Sequence, residues 1–227
     1  TNNISNVDTP GFKEELAVLQ ARDSRAVLDG LDVTGSQSIN DLGSGVSVIE
    51  TTTNFSPGSL KPTQNQWDIA VRGEGFFVVD DGGQQFLTRA GNFHVDRQGR
   101  LLTQQGFSVL DDSGSPIVIT DPDATVHPDG FIEQNGSGQY LGLAKPASFD
   151  DLQRVGQNAF RAQGPVQAVD PSERSVSSGF LEISSVKPAR AMIELIETSR
   201  AYEANVKMIQ SHDQLTGGLV GRLLRVR

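Results

Sequence analysis

The amino-acid sequence predicts a mainly β protein with terminal α structure: an antiparallel β sandwich or barrel-like body followed by a long amphipathic C-terminal helix. First, residues 46–183 contain short segments of alternating apolar and polar side chains, separated by turns rich in Gly and Asp, as antiparallel strands do. Second, apolar side chains in residues 192–209 recur at spacings of three and four, the period of a helix. Third, the 227 residues include 24 Gly and 10 Pro, enough chain to bury a core and many turns.

Residues 1–13 combine three asparagines with a Thr-Pro-Gly turn and one aromatic side chain. Asn and Ser side chains bond to nearby backbone and favour helix ends, Pro10 fixes one φ angle, and Gly11 permits a reversal. We therefore expect this segment to end a helix and to turn sharply into the next element. The helix that it ends would lie before Asn2, upstream of the printed sequence.

The next segment, residues 13–31, is predicted to contain one or two helical turns. Its apolar side chains have a helix-like spacing amid charges; they are Leu16, Leu19, Val27 and Leu28. Residues 35–45 are rich in Ser, Gly, Asn and Asp and are predicted to be a connector. Residues 1–45 are thus the predicted first domain, a junction motif with its connector.

Residues 46–183 form the predicted second domain, a β-rich body. Its turn signals include Asp81-Gly82, which favours a tight hairpin, and Ser148 is predicted to cap a short helix. Turns at this spacing indicate antiparallel sheets rather than βαβ units. The predicted strands are 46–52, 67–72, 76–79, 85–89, 92–95, 101–103, 107–110, 117–120, 131–132, 140–144 and 178–182.

Residues 184–227 are the predicted third domain, an assembly helix. Pro188 suits the first turn of a helix, and Gly217-Gly218 is predicted to break it. A stripe at the helical period joins Met192, Leu195, Ser199, Tyr202, Val206 and Ile209, and Ile193, Ile196 and Met208 widen it. Terminal helices most often pack on their own domain, but this body already has an alternating core. The partner is therefore expected to be an N-terminal helix or copies from other subunits.

The composition excludes several classes of function. A net charge of −9 argues against a nucleic-acid-binding protein, which needs clustered cations. The chain has no Cys, which excludes disulfides and thiol nucleophiles. No apolar run approaches the ~20 residues needed to span a bilayer, so we expect no direct membrane insertion.

No motif for catalysis, metal binding or cofactor binding is found. The three histidines, His94, His127 and His212, are isolated in sequence and lack the spacing of zinc ligands. No Gly-x-Ser-x-Gly motif or dinucleotide-binding loop occurs. We therefore predict no catalytic residue, metal or cofactor, although abundant carboxylates leave a paired-acid glycosidase open.

Six stretches of the sequence resemble, in order, the signatures of bacterial flagellar basal-body rod proteins. They cover nearly the whole chain, and each is weak evidence alone. The stretches are residues 2–12, 68–79, 87–93, 99–107, 179–186 and 192–205. The first matches the Asn-rich run that closes the N-terminal helix in rod and hook proteins, and the last is similar to their C-terminal helix motif.

The resemblance implies a noncatalytic structural subunit of the rod that crosses the periplasm. Terminal helices from many subunits would form an inner layer of a tube that transmits torque, with the β domain outside. The implied partners are copies of the chain, other rod and hook axial proteins, and the flagellar type III export apparatus. Residues 206–224 are more similar to the proximal rod type, and the distal type is the alternative.

The predicted assembly interface contains residues from both ends of the chain: Asn2, Asn3, Ile4, Asn6, Thr9, Gly11, Phe12, Met192, Leu195, Ile196, Tyr202, Val206 and Ile209. Two other classes of function stay open at this point. One is an enzyme acting on cell-wall glycan, since a rod crosses that layer. The other is a binding module whose terminal helix docks a single partner.

Overall fold

A computed structural model describes residues 2–21, 29–30, 46–156 and 158–224, with side chains described up to residue 218. The protein is mainly β with one long C-terminal helix, as predicted. The described strands form five sheets, none of which closes into a barrel. In chain order, the elements are α1 (Asn2–Ser5), β1 (Glu14–Ala21), β2 (Val46–Asn54), β3 (Leu60–Pro62), β4 (Ile69–Val71), β5 (Phe76–Asp81), β6 (Gln84–Thr88), β7 (His94–Val95), β8 (Leu101–Leu102), β9 (Ser108–Val109), β10 (Thr125–Val126), β11 (Phe131–Gln134), β12 (Ser137–Tyr140), β13 (Leu143–Pro146), β14 (Leu152–Arg154), β15 (Ala159–Ala162), β16 (Val166–Ala168), β17 (Val176–Ser178), β18 (Phe180–Glu182) and α2 (Pro188–Leu224).

The largest sheet has nine strands in the order β14-β15-β6-β5-β9-β8-β7, with β13 pairing both β5 and β16. The predicted hairpin between β5 and β6 is confirmed, and Gly82 and Gly83 both adopt positive φ angles at its turn. Smaller antiparallel sheets pair β4 with β17, β3 with β18, and β11 with both β10 and β12.

Strand β5 shows that the body has apolar side chains packed on both sides of its main sheet, as a sandwich does. Alternate side chains of a strand point to opposite faces, so Phe77 and Val79 join the main core while Phe76 joins a second cluster with Phe160. Both faces of β5 are therefore covered. This accounts for the continuous apolar run in the sequence, which differs from the alternation of a half-exposed strand.

Strands β1 and β2 form a separate two-stranded sheet, called the arm below, whose register is irregular between Val18 and Leu19. The strand predicted at 46–52 is confirmed. The helical turns predicted from residue 13 onward are wrong for Glu14–Ala21, because β2 supplies backbone partners along the whole of β1. Residues 22–28 and 31 of that prediction, and the connector at 35–45, lie outside the described residues.

Two smaller differences from prediction concern strands of the body. The expected last strand at 178–182 is two strands, β17 and β18, because Gly179 between them has a φ of 74°. Residues 117–120 form an isolated bridge through Val118 instead of a strand. The short capped helix is confirmed as a 3-10 turn at Phe149–Asp151, in which the Asp150 amide donates to the Ser148 hydroxyl at 3.2 Å.

Helix α2 begins at Pro188, as predicted, and runs without interruption to Leu224. The predicted break at Gly217-Gly218 is wrong. Glycine keeps its backbone N–H and costs only about 1 kcal/mol relative to alanine in a helix, so neighbouring helix formers carry the helix through. Of the α2 side chains described, only Ala191 is buried. No helix in the described part of the chain is long and apolar enough to cross a membrane.

Candidate functional site

The Asn-rich motif forms the first part of a junction between the N-terminal segment, the body and the start of α2. Here the junction means residues 2–15 and 182–191. The Asn6 side-chain amide donates to the Asn2 carbonyl and side-chain oxygens at 2.9 and 3.0 Å, and the Thr9 hydroxyl donates to Asn6 Oδ1 at 3.2 Å. The Asn2 carbonyl also accepts from the Asn6 backbone amide at 3.2 Å, so the side-chain bonds reinforce the turn in which α1 ends, at Ser5 within the motif.

Asn3 ties α1 to the first strand of the arm. Its Nδ2 donates to the Glu15 carbonyl at 2.8 Å, and its Oδ1 accepts from the Glu15 amide at 3.0 Å. One side-chain amide thus satisfies both backbone groups of Glu15, as a neighbouring strand would. Asn2 adds a bond from its Nδ2 to Glu15 Oε2 at 2.8 Å.

Gly11 makes the sharp turn that follows. Its φ is +67°, and an added Cβ would lie 2.4 Å from the Arg89 carbonyl carbon, so no larger residue fits there without movement. The Gly11 amide donates to the Glu182 carbonyl at 2.7 Å, and the Pro10 carbonyl accepts from Asn158 Nδ2 at 2.8 Å. The turn therefore lies in close contact with the body, and hydrogen bonds of Pro10 and Gly11 fix it there.

Phe12 provides the apolar centre of the junction and is only 2% exposed. The Arg154 guanidinium lies 4.6 Å from the centre of its ring and donates to the Lys13 carbonyl at 2.6 Å. The other apolar residues of this cluster are Ile4, Val7, Val186 and Ala191. Residues from α1 and the start of α2 therefore share one small core.

A buried charge cluster lies beside this core. Lys13 Nζ donates to Glu182 Oε1 at 2.7 Å and to the Ser56 carbonyl at 2.9 Å, while Arg89 Nη1 donates to Glu182 Oε2 at 3.3 Å. The Gly58 amide donates to the same Oε1 at 2.7 Å. Burial lowers the pKa of Lys13 and of Arg89 below their ordinary values, and the Glu182 carboxylate opposes both shifts. One carboxylate thus offsets the desolvation of two cations.

The structure places the predicted interface residues in two separate groups. The seven N-terminal ones, Asn2, Asn3, Ile4, Asn6, Thr9, Gly11 and Phe12, all belong to the junction and make the contacts given above. The six on α2 project away from it: Met192 is 52% and Tyr202 70% exposed, Leu195, Ile196 and Ile209 are also exposed, and Val206 is partly exposed. Their role in contacts between subunits stays a prediction.

Sequence reasoning missed the residues that hold the junction to the body: Lys13, Arg89, Arg154, Asn158 and Glu182. Lys13 and Arg89 lie 169 and 93 residues from Glu182 in the chain, so no local spacing reveals the cluster. The available signal was the resemblance itself. Lys13 follows the Asn-rich stretch directly, while Arg89 and Glu182 lie in the stretches 87–93 and 179–186.

One open groove on the body is lined by two acidic side chains. It has a volume of about 450 Å³ and lies over β5, β6 and β13, with Asp111 and Asp112 at its rim. Asp112 already accepts two bonds from Arg174 Nη2 at 2.9 and 2.8 Å, so its charge is paired. Within the described ranges, no three His, Asp or Glu side chains lie together as metal ligands would.

Comparison with known proteins gives two family matches and full-length relatives. The family described as flagellar hook protein FlgE/F/G D1 domain matches residues 70–137, within the body. The one described as flagellar basal body rod FlgEFG protein C-terminal matches residues 177–220, from β17 into α2.

The relatives extend these matches over almost the whole chain. The flagellar basal-body rod protein FlgF of Caulobacter vibrioides is 32% identical and covers 99% of this chain and 90% of the relative. FlgG of Bacillus subtilis is 32% identical, covering 96% and 90%, and FlgF of Salmonella typhimurium is 31% identical, covering 95% and 87%. The chain therefore belongs to the flagellar basal-body rod proteins and is a structural subunit of the rod.

Proposed function

We propose that this chain polymerises through α2 into the axial shaft of the rod and transmits torque through repeated subunit contacts. The observation that carries the proposal is the exposure of α2. The described part of the body does not cover the apolar stripe of α2 from Met192 to Ile209. Of the described α2 side chains, the body buries only Ala191. Stripes of this kind on monomers mark interaction surfaces.

Burial of this stripe would favour assembly. Burying about six large side chains contributes roughly 1.5–3 kcal/mol each, before the entropy of ordering the subunits is subtracted. Met208 and Leu215 are also exposed. Both lie on the side of α2 opposite the stripe, so Met208 belongs to a second apolar face and does not widen the stripe as predicted from the sequence. Two apolar faces suit a helix that is contacted by more than one neighbour.

The proposal includes pairing of α2 with N-terminal helical structure. It is supported by the shared core at the junction, in which Ile4 and Val7 pack with Ala191 of α2. The junction then sets the direction in which the two helical parts leave the body. We further propose the proximal rod type, export by the flagellar type III apparatus, contacts with other axial proteins, and no catalytic role.

A charge placed on the stripe tests the proposal. Leu195→Asp or Val206→Asp should abolish polymerisation, seen by electron microscopy and sedimentation, because a carboxylate would be buried between helices. Circular dichroism and size-exclusion should show a folded β body in both variants. Gln214→Glu is the matched control, since it adds the same charge between the two apolar faces of α2, at an exposed position, and should polymerise normally.

Normal filaments from both stripe variants would contradict the proposal. Mass analysis of the assembled material separates a polymer from a complex with a single partner. A peptidoglycan-turnover assay on the same preparation tests the absence of catalysis, which a turnover lost on substitution of one Asp or Glu would overturn.

A further inference from the structure

Glu182 occupies an unusual place in the chain. It is the last residue of β18, shortly before α2 begins at Pro188, and it is only 2% exposed. Its backbone carbonyl accepts from Gly11 and its carboxylate accepts from Lys13 and Gly58. Glu182, which lies in the strand that leads into α2, therefore contacts both the N-terminal turn and the segment after the arm.

The same carboxylate also connects these segments to the body. Arg89, which follows β6, donates to Glu182 Oε2 and to the carbonyls of Val71 and Gly73 at 3.4 and 2.6 Å. Lys13 is completely buried and donates to the Ser56 carbonyl near the end of β2. Four parts of the chain that are distant in sequence thus meet at one negative charge.

This cluster is poorly explained as a source of stability alone. Replacing a buried ion pair by apolar residues is often neutral or stabilising, and the best-attested use of such groups is to specify one arrangement over others. The main core of the body, around Ile69, Phe77 and Leu101, is formed by other residues. The cluster instead lies where the arm, the N-terminal segment and α2 leave the body.

We propose that Glu182 is a positioning residue that fixes the arm and α2 on the body in the single orientation that rod assembly requires. This inference rests on the proposed function, since it concerns how α2 is presented to neighbouring subunits. Removing the charge leaves Lys13 buried without a counter-charge, and Arg89 loses the carboxylate that acts on it most strongly. The junction then opens while the body stays folded.

Glu182→Gln in the full chain tests this, because glutamine keeps the shape and removes the charge. Hydrogen exchange at the amides of Gly11 and Gly58 should become at least about tenfold faster, as expected when a buried cation loses its partner. Exchange at Val78 and Leu110, whose amides bond within the body, should stay unchanged. Assembly should fall at least about tenfold.

Three further variants make the result specific. Glu133→Gln makes the same substitution at an exposed residue of β11 that bonds to His127 and should change neither exchange nor assembly. Lys13→Met leaves Glu182 paired with Arg89, so it gives a milder change of the same kind if Glu182→Gln fails to fold. In Lys13→Met/Glu182→Gln, the cation left without a counter-charge is gone, and junction exchange should return part of the way to wild type.

Unchanged exchange at Gly11 and Gly58 in both Glu182→Gln and Lys13→Met would overturn the inference. Faster exchange at the junction with undiminished assembly would overturn it too, because the orientation would then not matter. Failure of the proposed function has a different signature: Leu195→Asp, which leaves the junction amides unaffected, would then assemble normally.

Discussion

Gly11 is held by a close approach as well as by its φ of +67°. An added Cβ would lie 2.4–2.5 Å from backbone atoms of Arg89 and Ala90, and backbone cannot move aside as a side chain can. Gly11→Ala should therefore cost the left-handed strain of about 1–2 kcal/mol and a further 1–3 kcal/mol of overpacking. Hydrogen exchange at the amides of Glu15 and Ser185, both bonded within the junction, measures the loss.

Gly82 provides the matched control for that change. Its φ is +60°, and nothing lies within 4 Å of an added Cβ. Gly82→Ala should cost only the strain of about 1–2 kcal/mol, measured by denaturant unfolding, and should leave the junction amides protected. Equal losses at both sites would mean that the contact with Arg89 and Ala90 is unimportant.

The position of Asn3 on β1 should depend on its side-chain amide nitrogen. Asn3→Asp keeps the size but removes the donor to the Glu15 carbonyl and places a negative oxygen against it. The lost bond and the repulsion cost about 1–3 kcal/mol and should push the side chain away from β1. The Glu15 amide then loses its acceptor as well, so its exchange should accelerate. Asn54→Asp is the control, because Asn54 accepts from the Ser56 amide and aspartate preserves that bond. Similar acceleration in both would refute a specific role for Asn3.

Some of these residue-scale features were predictable from sequence and others were not. The turn at Pro10-Gly11 follows from local backbone chemistry, which needs no knowledge of the rest of the chain. Glu182 gave no such signal, since its partners are brought to it only by folding. A carboxylate in an alternating strand is normally a solvated residue, and only the three-dimensional contacts identify it as buried.

At the scale of elements, β1 shows how short apolar patterns mislead. Leu16 and Leu19 have a helical spacing, but a strand with side chains on two exposed faces has no strict alternation to reveal it. Pairing with β2 and the bond between Asn3 and Glu15 decide the conformation. Longer periodic segments and clear turn signals predict an element correctly, as the start of α2 and the hairpin of β5 and β6 illustrate.

The continuity of α2 leads to a prediction about its glycines. Gly217 and Gly218 are helical, and nothing lies within 4 Å of a Cβ added at either. Alanine at each position should stabilise the helix by about 1 kcal/mol, visible as greater ellipticity at 222 nm. Gly136→Ala, at a turn with a φ of +76°, should give no such gain. Unchanged helicity in Gly217→Ala and Gly218→Ala would show that the helix is interrupted in solution.

At the scale of the whole molecule, the sequence predicts the parts better than their connections. The alternation in the body and the stripe on α2 are both local signals, so the mainly β fold and the exposed helix follow from them. How α1, the arm and α2 meet depends on contacts between residues at opposite ends of the chain. Such contacts have no local signature, which is why the junction appears only in the structure.

The body should unfold independently of α2. Since α2 side chains beyond Ala191 are uncovered by the described body, deleting residues 192–227 should shift the melting temperature of the body by less than about 3 °C, equivalent to roughly 1 kcal/mol. Trp67, the sole tryptophan and packed against the main core, reports this transition by fluorescence. Because the described part of the body leaves α2 uncovered beyond Ala191, α2 in the intact monomer should lose ellipticity at lower temperature, since unpacked helices are marginal in water. A single transition seen by both probes, or a fall of more than about 10 °C on deletion, would instead mean that α2 stabilises the body.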